Sequence, residues 1–374
     1  MGTVRKVLVI GGGIAGMSTA IELRKRGVAV DLVERDPKWR VYGTGISISG
    51  PALRAFKTVG VLPDILEQGW CSDGCDLCTP SGSVLTTLPT PRIAGADIPG
   101  GGGILRPVLA RILSKATLAS GTAVRLGVTF TGIARGDSGC DVSFTDGSRD
   151  RYDLVVGADG LSSKVRSAVF PDAPTPKYTG QGCWRAVVPR LPEIAGASMF
   201  LGRVTKAGVN LVSKNEMYLF CLDHREVNER IPEEHFGQIL KSMLAEFSGP
   251  VGRLRDGLDA NSRIIYRPLE AVLVPPPWHH ERVVLVGDAA HATTPHLASG
   301  AAIAVEDAIV LAEELEKAAT LEAALRGYVV RRFTRCKIVV ESSLKLGEIE
   351  ITGGSKEEHA QVMRDAMVGL LAPI

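Results

Sequence analysis

No stretch of this 374-residue chain approaches the roughly 18 uncharged apolar residues that a membrane-spanning helix needs. A transmembrane segment is not expected. A secretory signal is also missing: Val7 to Ile10 runs straight into a glycine turn, with no small-residue cleavage site behind it. The expected location is therefore the cytoplasm. The chain has no block of like charge, and its 43 basic and 41 acidic residues nearly cancel to +2, so no electrostatic footprint for nucleic acid is present. Seven cysteines are an odd number in a long chain, which argues against a disulfide framework and for reduced thiols. Internal repeats are absent, and the only low-complexity run is Pro275 to Pro277, read as a stiff loop.

What is present is ordinary globular composition, 45% hydrophobic and 22% charged, with length enough for two domains of common size. Val7 to Ile10 is an unbroken apolar run, as in a parallel strand buried on both faces. Gly11-Gly12-Gly13-Ile14-Ala15-Gly16 follows, then helix formers from Met17 to Arg26 that stop at Gly27. Val28 to Val33 supplies a second strand ending in Glu34. This is the layout of a dinucleotide site: Gly11 permits the tight turn, Gly13 lets backbone approach a pyrophosphate, and Gly16 lets helix and strand pack closely. The N–H groups at the helix start, next to Ala15, favour phosphate charge, and Glu34 would accept from ribose hydroxyls. At this point FAD and NAD remain equally open.

Two later stretches repeat the design. Asp153 to Arg166 reads as a strand, an Asp159-Gly160 turn and a helix start capped by serine. Val283 to Pro295 reads as a buried strand followed by Gly287-Asp288 and a loop, with a long helix from about Ala301. Together with the Gly-rich turn, these stretches resemble the class A FAD-dependent aromatic hydroxylases of the para-hydroxybenzoate hydroxylase type, over Val4 to about Arg335. Thr293-Thr294-Pro295 is similar to urate hydroxylases, and Pro295-His296 to the salicylate and 6-hydroxynicotinate hydroxylases.

The resemblance implies a Rossmann-like, GR2-type α/β FAD-binding domain with an inserted β-sheet substrate domain and C-terminal helices. It also implies an NAD(P)H-dependent flavoprotein monooxygenase: NAD(P)H reduces FAD, O₂ adds at flavin C4a, and the distal oxygen of the hydroperoxide passes to a small aromatic or heteroaromatic substrate. By the same token Glu34 and Arg35 would hold the adenosine ribose, Val128 would touch adenine, and Ser47 and Arg106 would follow the ribityl and phosphate chain. Asp288 would bond the ribityl, while Pro295, Gly300 and Ala301 would run along the flavin ring. Asp159 is credited in the family with contacts to FAD and to the nicotinamide; alternatively it caps the following helix, with Arg166 paired to a local carboxylate. One departure stands out. Where the family has Gly-Gln-Gly and then asparagine or a small residue, this chain has Ala298-Ser299-Gly300-Ala301. Related readings are an epoxidase, a halogenase, a prenyl reductase or a non-catalytic flavin-fold binding protein, although a tryptophan-rich halogenase signature is not found.

The same resemblance divides the chain. Residues 1–70, 100–176 and 265–335 would form the discontinuous FAD-binding domain, residues 71–99 and 177–264 the substrate-binding sheet, and residues 336–374 a C-terminal helical segment. Trp184, Arg185, Lys206, Tyr218 and His296 are the candidates to line the substrate pocket, with His296, Arg185 and Tyr218 as the catalytic set. The histidine that some pyridine hydroxylases use at the position of Ser47 is absent, so no general base is assigned. Gly100 to Gly103 reads as a flexible loop, since neither a strand before it nor a phosphate-binding Lys-Ser/Thr after it is evident. Cys71, Cys75 and Cys78 have the spacing of an iron–sulfur motif, but Asp76 onward reads as a hairpin strand, which would turn Cys75 and Cys78 to opposite faces. His291 is expected to pack near the Gly-Asp turn. No metal is expected, and the assembly is read as a monomer or homodimer.

Overall fold

The structure, a computed structural model, describes residues 4–41, 43–259 and 261–374. Its central sheet has six strands in the order His279–His280, Val283–Leu285, Leu154–Gly157, Lys6–Ile10, Ala29–Glu34 and Ala123–Leu126. Lys6–Ile10 pairs in parallel with a neighbour on each side, and Val7 to Ile10 are at most 2% exposed. An apolar run without alternation is what such a doubly covered strand requires. Each large aliphatic side chain so buried contributes about 1.5–3 kcal/mol. The helices Ile14–Lys25 and Gly300–Lys317 pack against each other.

A second sheet of seven strands stands over the first. Its order is Ile264–Ala271, Lys177–Pro189, Glu216–His224, Lys206–Leu211, Ala197–Leu201, Cys75–Cys78 and Val84–Leu88. Its own core gathers Trp184, Phe200, Leu219, Phe247 and Tyr266. This sheet corrects two of the expected boundaries. Ile264–Ala271, assigned to the FAD-binding domain from 265, pairs antiparallel with Lys177–Pro189 and forms the edge of the upper sheet. Trp70–Ser72 does not join that sheet but pairs with Gly101–Leu105.

The glycine run from Gly100 is likewise not a loop. Gly101–Leu105 is the middle strand of a small sheet between Gly45–Ser49 and Trp70–Ser72. A Cβ at Gly102 would lie 2.4 Å from the Trp70 carbonyl oxygen, and one at Gly103 2.4 Å from that of Leu211. Glycine is needed there for close backbone approach, which a propensity reading scores only as flexibility. At the C-terminal end, Leu321–Thr352 is one continuous 32-residue helix, so residue 336 marks no break. Lys356–Leu371 follows and packs against it.

Candidate functional site

Ile10, Gly157 and Leu285 lie side by side in register, so the Gly-rich turn, Ala158-Asp159 and Gly287-Asp288 all leave the sheet at one carboxyl edge. In open parallel sheets, that edge is where ligands bind. Gly11 sits at φ +112°, and a Cβ there would meet the Ala158 carbonyl oxygen at 2.4 Å. Gly16 is closer still, since its Cβ would fall 1.9 Å from the Gly11 carbonyl oxygen. Gly13, by contrast, faces open space with nothing within 4 Å. Room has been left beside the helix start, where free N–H groups favour a phosphate.

Glu34 accepts from the Gly12 N–H and the Asp36 N–H, both at 2.8 Å. Val128 donates its N–H to the Glu34 carbonyl at 3.1 Å, and Arg35 is exposed at the same rim. Trp39, which no motif marks, donates its indole N–H to the Gly12 carbonyl at 2.8 Å and braces the turn.

Asp159 takes the local role. Its carboxylate accepts from the Ser163 hydroxyl at 2.5 Å and from the N–H groups of Lys164 and Val165 at 2.6 and 3.0 Å. The cavity is lined here by Ala158, Gly160 and Leu161 instead. Arg166, which the alternative reading paired with a local carboxylate, has no such ion pair among the described residues; it donates to the carbonyls of Ala289 and Leu161 at 2.8 and 2.7 Å. It thereby ties this helix to the Gly287-Asp288 turn.

That turn is held from below. Gly287, at φ +60°, donates its N–H to Asp307 at 2.8 Å, and a Cβ on it would sit 2.7 Å from that of Ala15. Asp307 also bonds His291 Nε2 at 2.6 Å and Arg332 Nε at 2.9 Å. Burial alone would raise the Asp307 carboxyl, but His291 and Arg332 outweigh it and hold it at about 2. His291, which burial would lower, is raised well above the usual histidine range by Asp307. Arg332 continues to Glu306 at 3.0 Å, and Glu306 binds Arg335 through both oxygens at 2.8 Å. His291, Asp307 and Cys336 have the proximity of a metal-ligand set. Arg332, 2.9 Å from Asp307 and 3.5 Å from the Cys336 sulfur, supplies the cation instead.

A cavity of about 670 Å³ runs from Gly13 and Ala15 past Asp288 and Gly300 to the underside of the upper sheet. Asp288 has no hydrogen-bond partner among the described residues and is exposed, though to the cavity rather than to bulk water; confinement raises its carboxyl above the usual value. Pro295–Leu297 forms one 3₁₀ turn, Ala298 follows at φ +49°, and the N-terminus of Gly300–Lys317 opens onto the cavity with Gly300 and Ala301 in its wall. The Ser299 hydroxyl turns back to the Leu297 carbonyl at 2.8 Å, so it does not supply the side chain that the family's glutamine would.

Above, strand alternation sorts the candidates. Arg185, Lys206 and Tyr218 face the cavity. Trp184 does not: it is fully buried in the upper core, with ring centroids 5.3 Å from Phe236 and 4.6 Å from Tyr266. It belongs to packing, not to the pocket. Tyr218 is raised by burial and shares a 2.7 Å hydrogen bond with Ser47, which also accepts from Asn210 at 3.1 Å. Ser47, expected along the cofactor chain, lines the same cavity and is tied to the upper sheet by these two bonds. Arg106 and Arg185 both line the cavity, and neither makes a close ion pair among the described residues, although the Asp288 carboxylate acts on Arg106 across the cavity. Burial first, and then the positive charge of Arg185, lowers the Arg106 guanidinium from its usual value. Two unpaired cations in one wall make it receptive to anions.

The cysteines are dispersed rather than gathered. Cys78 is buried in the upper core, Cys75 faces the cavity and Cys71 lies on the small sheet. Burial pushes the Cys71 thiol up to about 11. His296 has its side chain 2% exposed and stands at the cavity wall, with Glu350 of the long helix 3.4 Å away. Glu350 lay outside every motif. Its one sequence trace is Gly347, a helix-interior glycine whose Cβ would lie 2.8 Å from Gln181 and 3.2 Å from His296. Glycine costs a helix about 1 kcal/mol, and here it lets the helix approach the site.

The residues present fit a flavin dinucleotide: an open place at Gly13, two helix starts, and Asp288 and Arg106 in the cavity wall without a close ion-pair partner among the described residues. Comparison with known proteins agrees. Residues 5–343 match the family described as FAD binding domain. The 2-heptyl-3-hydroxy-4(1H)-quinolone synthase of Pseudomonas aeruginosa is 35% identical over 82% of this chain and 79% of its own. The aurachin C monooxygenase/isomerase of Stigmatella aurantiaca is 31% identical over 93% and 90%. In fold, Klebsiella pneumoniae HpxO, solved with FAD and uric acid, superposes with a TM-score of 0.83 at 24% identity, covering 98% of this chain and 97% of its own. The chain belongs to the FAD-binding-domain family and is a flavoprotein monooxygenase of the aromatic hydroxylase class.

Proposed function

We propose that the enzyme hydroxylates a small heteroaromatic ring, with a ring of the 4-quinolone kind as the first candidate. The overall change is substrate C–H + O₂ + NAD(P)H + H⁺ → substrate C–OH + H₂O + NAD(P)⁺. What carries the reading is the continuous cavity that joins the cofactor edge to the upper sheet, with Arg185 and Tyr218 in its wall. The relative named for a 4(1H)-quinolone shares 35% identity with this chain, against 27% and 26% for those named for urate and 6-hydroxynicotinate.

FAD supplies the two-electron reduction and oxygen activation. The N–H groups at Gly13 to Gly16 and Arg106 would hold its phosphates, Glu34 and Val128 its adenosine end, and Asp288 its ribityl hydroxyls. Gly300 and Ala301 would bring a helix N-terminus to the ring, where it favours negative charge. Arg185 would bind the substrate's anionic group, and Tyr218, fixed by Ser47, would orient the ring. The unpaired state of all seven cysteines supports a reducing compartment such as the cytoplasm.

The test is a panel of 2-alkyl-4-quinolones, hydroxybenzoates and hydroxypyridine carboxylates given to the FAD-loaded protein. Ligand-stimulated NAD(P)H oxidation should yield a product carrying oxygen from ¹⁸O₂ in excess of hydrogen peroxide. Stimulation that ends in peroxide alone, or none with any member, overturns the reading. Asp288→Asn removes the charge that would accept from the ribityl hydroxyls; at about 1.5–3 kcal/mol for a charged hydrogen bond, FAD should dissociate roughly 10- to 100-fold more readily. Fluorescence titration of stripped protein with FAD would show it, and an unchanged affinity would remove Asp288 from the cofactor site.

A further inference from the structure

A second cavity, of about 560 Å³, lies between the C-terminal part of helix Leu321–Thr352 and the start of strand Lys177–Pro189. An irregularity in the upper sheet makes room for it. Tyr178 pairs with Glu270 and Gly182 with Pro268, so Thr179 to Gln181 stand opposite Leu269 alone. The strand bulges there, with Gly180 at φ +82° and the Thr179 hydroxyl donating to the Leu269 carbonyl at 3.1 Å. Bulges re-aim side chains, and this one turns Gln181 towards the helix, where it is 3% exposed. The helix gives way at the same level: a Cβ on Gly347 would lie 2.8 Å from Gln181 Oε1.

Gln181 donates from Nε2 to Glu350 at 3.3 Å. A carboxylate only accepts, which fixes the amide's orientation and leaves Oε1 as an acceptor that no donor meets among the described residues. The Ser343 hydroxyl, fully buried one helical turn before Gly347, has no partner there either. Buried polar groups are nearly always satisfied, so two unsatisfied ones in the wall of one cavity point to an occupant. Much of the wall is apolar, with Val272, Leu273, Val340 and Ile351. Its charged groups Glu341, Glu348 and Lys177 are exposed, which places them at the mouth with an acidic excess.

We propose that this outer cavity is a second ligand site, distinct from the flavin-side cavity, for a neutral ring compound that carries an N–H or O–H donor. The donor bonds Gln181 Oε1, a polar atom elsewhere on the ring meets the Ser343 hydroxyl, and the ring body packs against Val272, Val340 and Ile351. The volume lies within the roughly 300–1,000 Å³ of small-molecule sites. Anions are disfavoured by the acidic mouth, and an ion would leave water for an inner wall with little to replace its hydration. The site does not depend on which ring the enzyme hydroxylates. Thr294 and His296 belong to the walls of both cavities, so an occupant touches the segment that leads to the helix start at Gly300.

The probe is 5-fluoroindole, neutral and with one N–H, followed by ¹⁹F NMR on the FAD-loaded protein. Ile351→Trp, at the half-buried wall, fills the cavity, and Leu344→Trp, at the exposed rim, narrows its mouth. Each should remove a bound resonance seen with the wild type while the flavin spectrum shows an intact cofactor site; if the first variant does not hold FAD, the second carries the test. Gln181→Leu, similar in volume, should weaken that binding about 10-fold by removing the acceptor. The N-methyl analogue of the probe should bind the wild type weaker by a like factor and be indifferent to Gln181→Leu, a response that a merely structural role for Gln181 would not produce. Indole-3-carboxylate should fail to displace the probe. The site is overturned by a probe that shows no bound resonance at millimolar concentration, or one whose resonances all survive the tryptophan variants, which is binding on the flavin side only. An N-methyl analogue as tight as its parent, or displacement by the carboxylate, overturns the ligand class.

Discussion

Asparagine in place of Asp307 is expected to lower folding stability by about 3–5 kcal/mol, the cost of breaking a buried ion pair by removing one partner. The carboxylate is fully buried and serves three donors, the Gly287 N–H, His291 and Arg332. The neutral amide of Asp307→Asn would keep one acceptor oxygen and leave both cations with less compensation. Glu306, 3.0 Å from Arg332, softens the loss for that partner but does not reach His291. The pH dependence has a definite sign. The Asp307 carboxyl is depressed on folding, so its stabilisation is complete above about 4 and fades as pH falls towards about 2. His291 is raised, so its share is complete below about 6.5 and is lost only as pH rises through its elevated folded value. Urea unfolding at several pH values would therefore show a shallower acid limb for Asp307→Asn than for the wild type. FAD-stripped and FAD-saturated protein should both be measured, because bound cofactor adds stability by mass action. A loss below about 1 kcal/mol with an unchanged acid limb would mean the network is structurally idle, well short of the cost of breaking a buried pair.

The same network explains how far the sequence could be read. The strand–turn–helix unit, Asp159-Gly160 and Gly287-Asp288 were legible because each is local: a few consecutive residues whose types fix a backbone path. Their convergence at one edge follows from parallel pairing, which register in the central sheet enforces. Asp307, Arg332 and Glu350 were not legible. Each lies on a helix, where a charged residue ordinarily means a solvated face, and only tertiary packing brings it against a cavity or a turn. Trp184 and Arg185 part for one reason: neighbours on a strand face opposite ways, so Trp184 packs into the upper core while Arg185 lines the cavity, and composition does not say which face is inward. Gly100 to Gly103 misled because glycine serves both flexibility and close approach, and the carbonyl oxygens of Trp70 and Leu211 that decide between them are remote in sequence.

Gly16→Ala should strip the protein of FAD, weakening its binding by at least about 100-fold, or roughly 2.7 kcal/mol. The added methyl would begin 1.9 Å from the Gly11 carbonyl oxygen, a backbone atom that no rotamer can move. Relief requires the start of helix Ile14–Lys25 to withdraw by more than an ångström, and the N–H groups proposed to hold the phosphates withdraw with it. The helix cannot simply translate, because it packs against Gly300–Lys317 and residues Ala15 to Leu23 are buried. Overpacking of this kind also costs about 1–3 kcal/mol of stability. Gly13→Ala separates the two effects. Beyond its chain neighbours, none of the described residues comes within 4 Å of its added methyl, so thermal unfolding of stripped protein should be unchanged while FAD affinity still falls, the methyl now occupying the space proposed for the pyrophosphate. The pair is read by the flavin absorbance of purified protein, by FAD titration and by Tm without cofactor. If Gly13→Ala binds FAD as the wild type does, the phosphates do not lie against the Gly-rich turn; if Gly16→Ala stays yellow at wild-type Tm, the close packing of turn and helix is not what holds them in place.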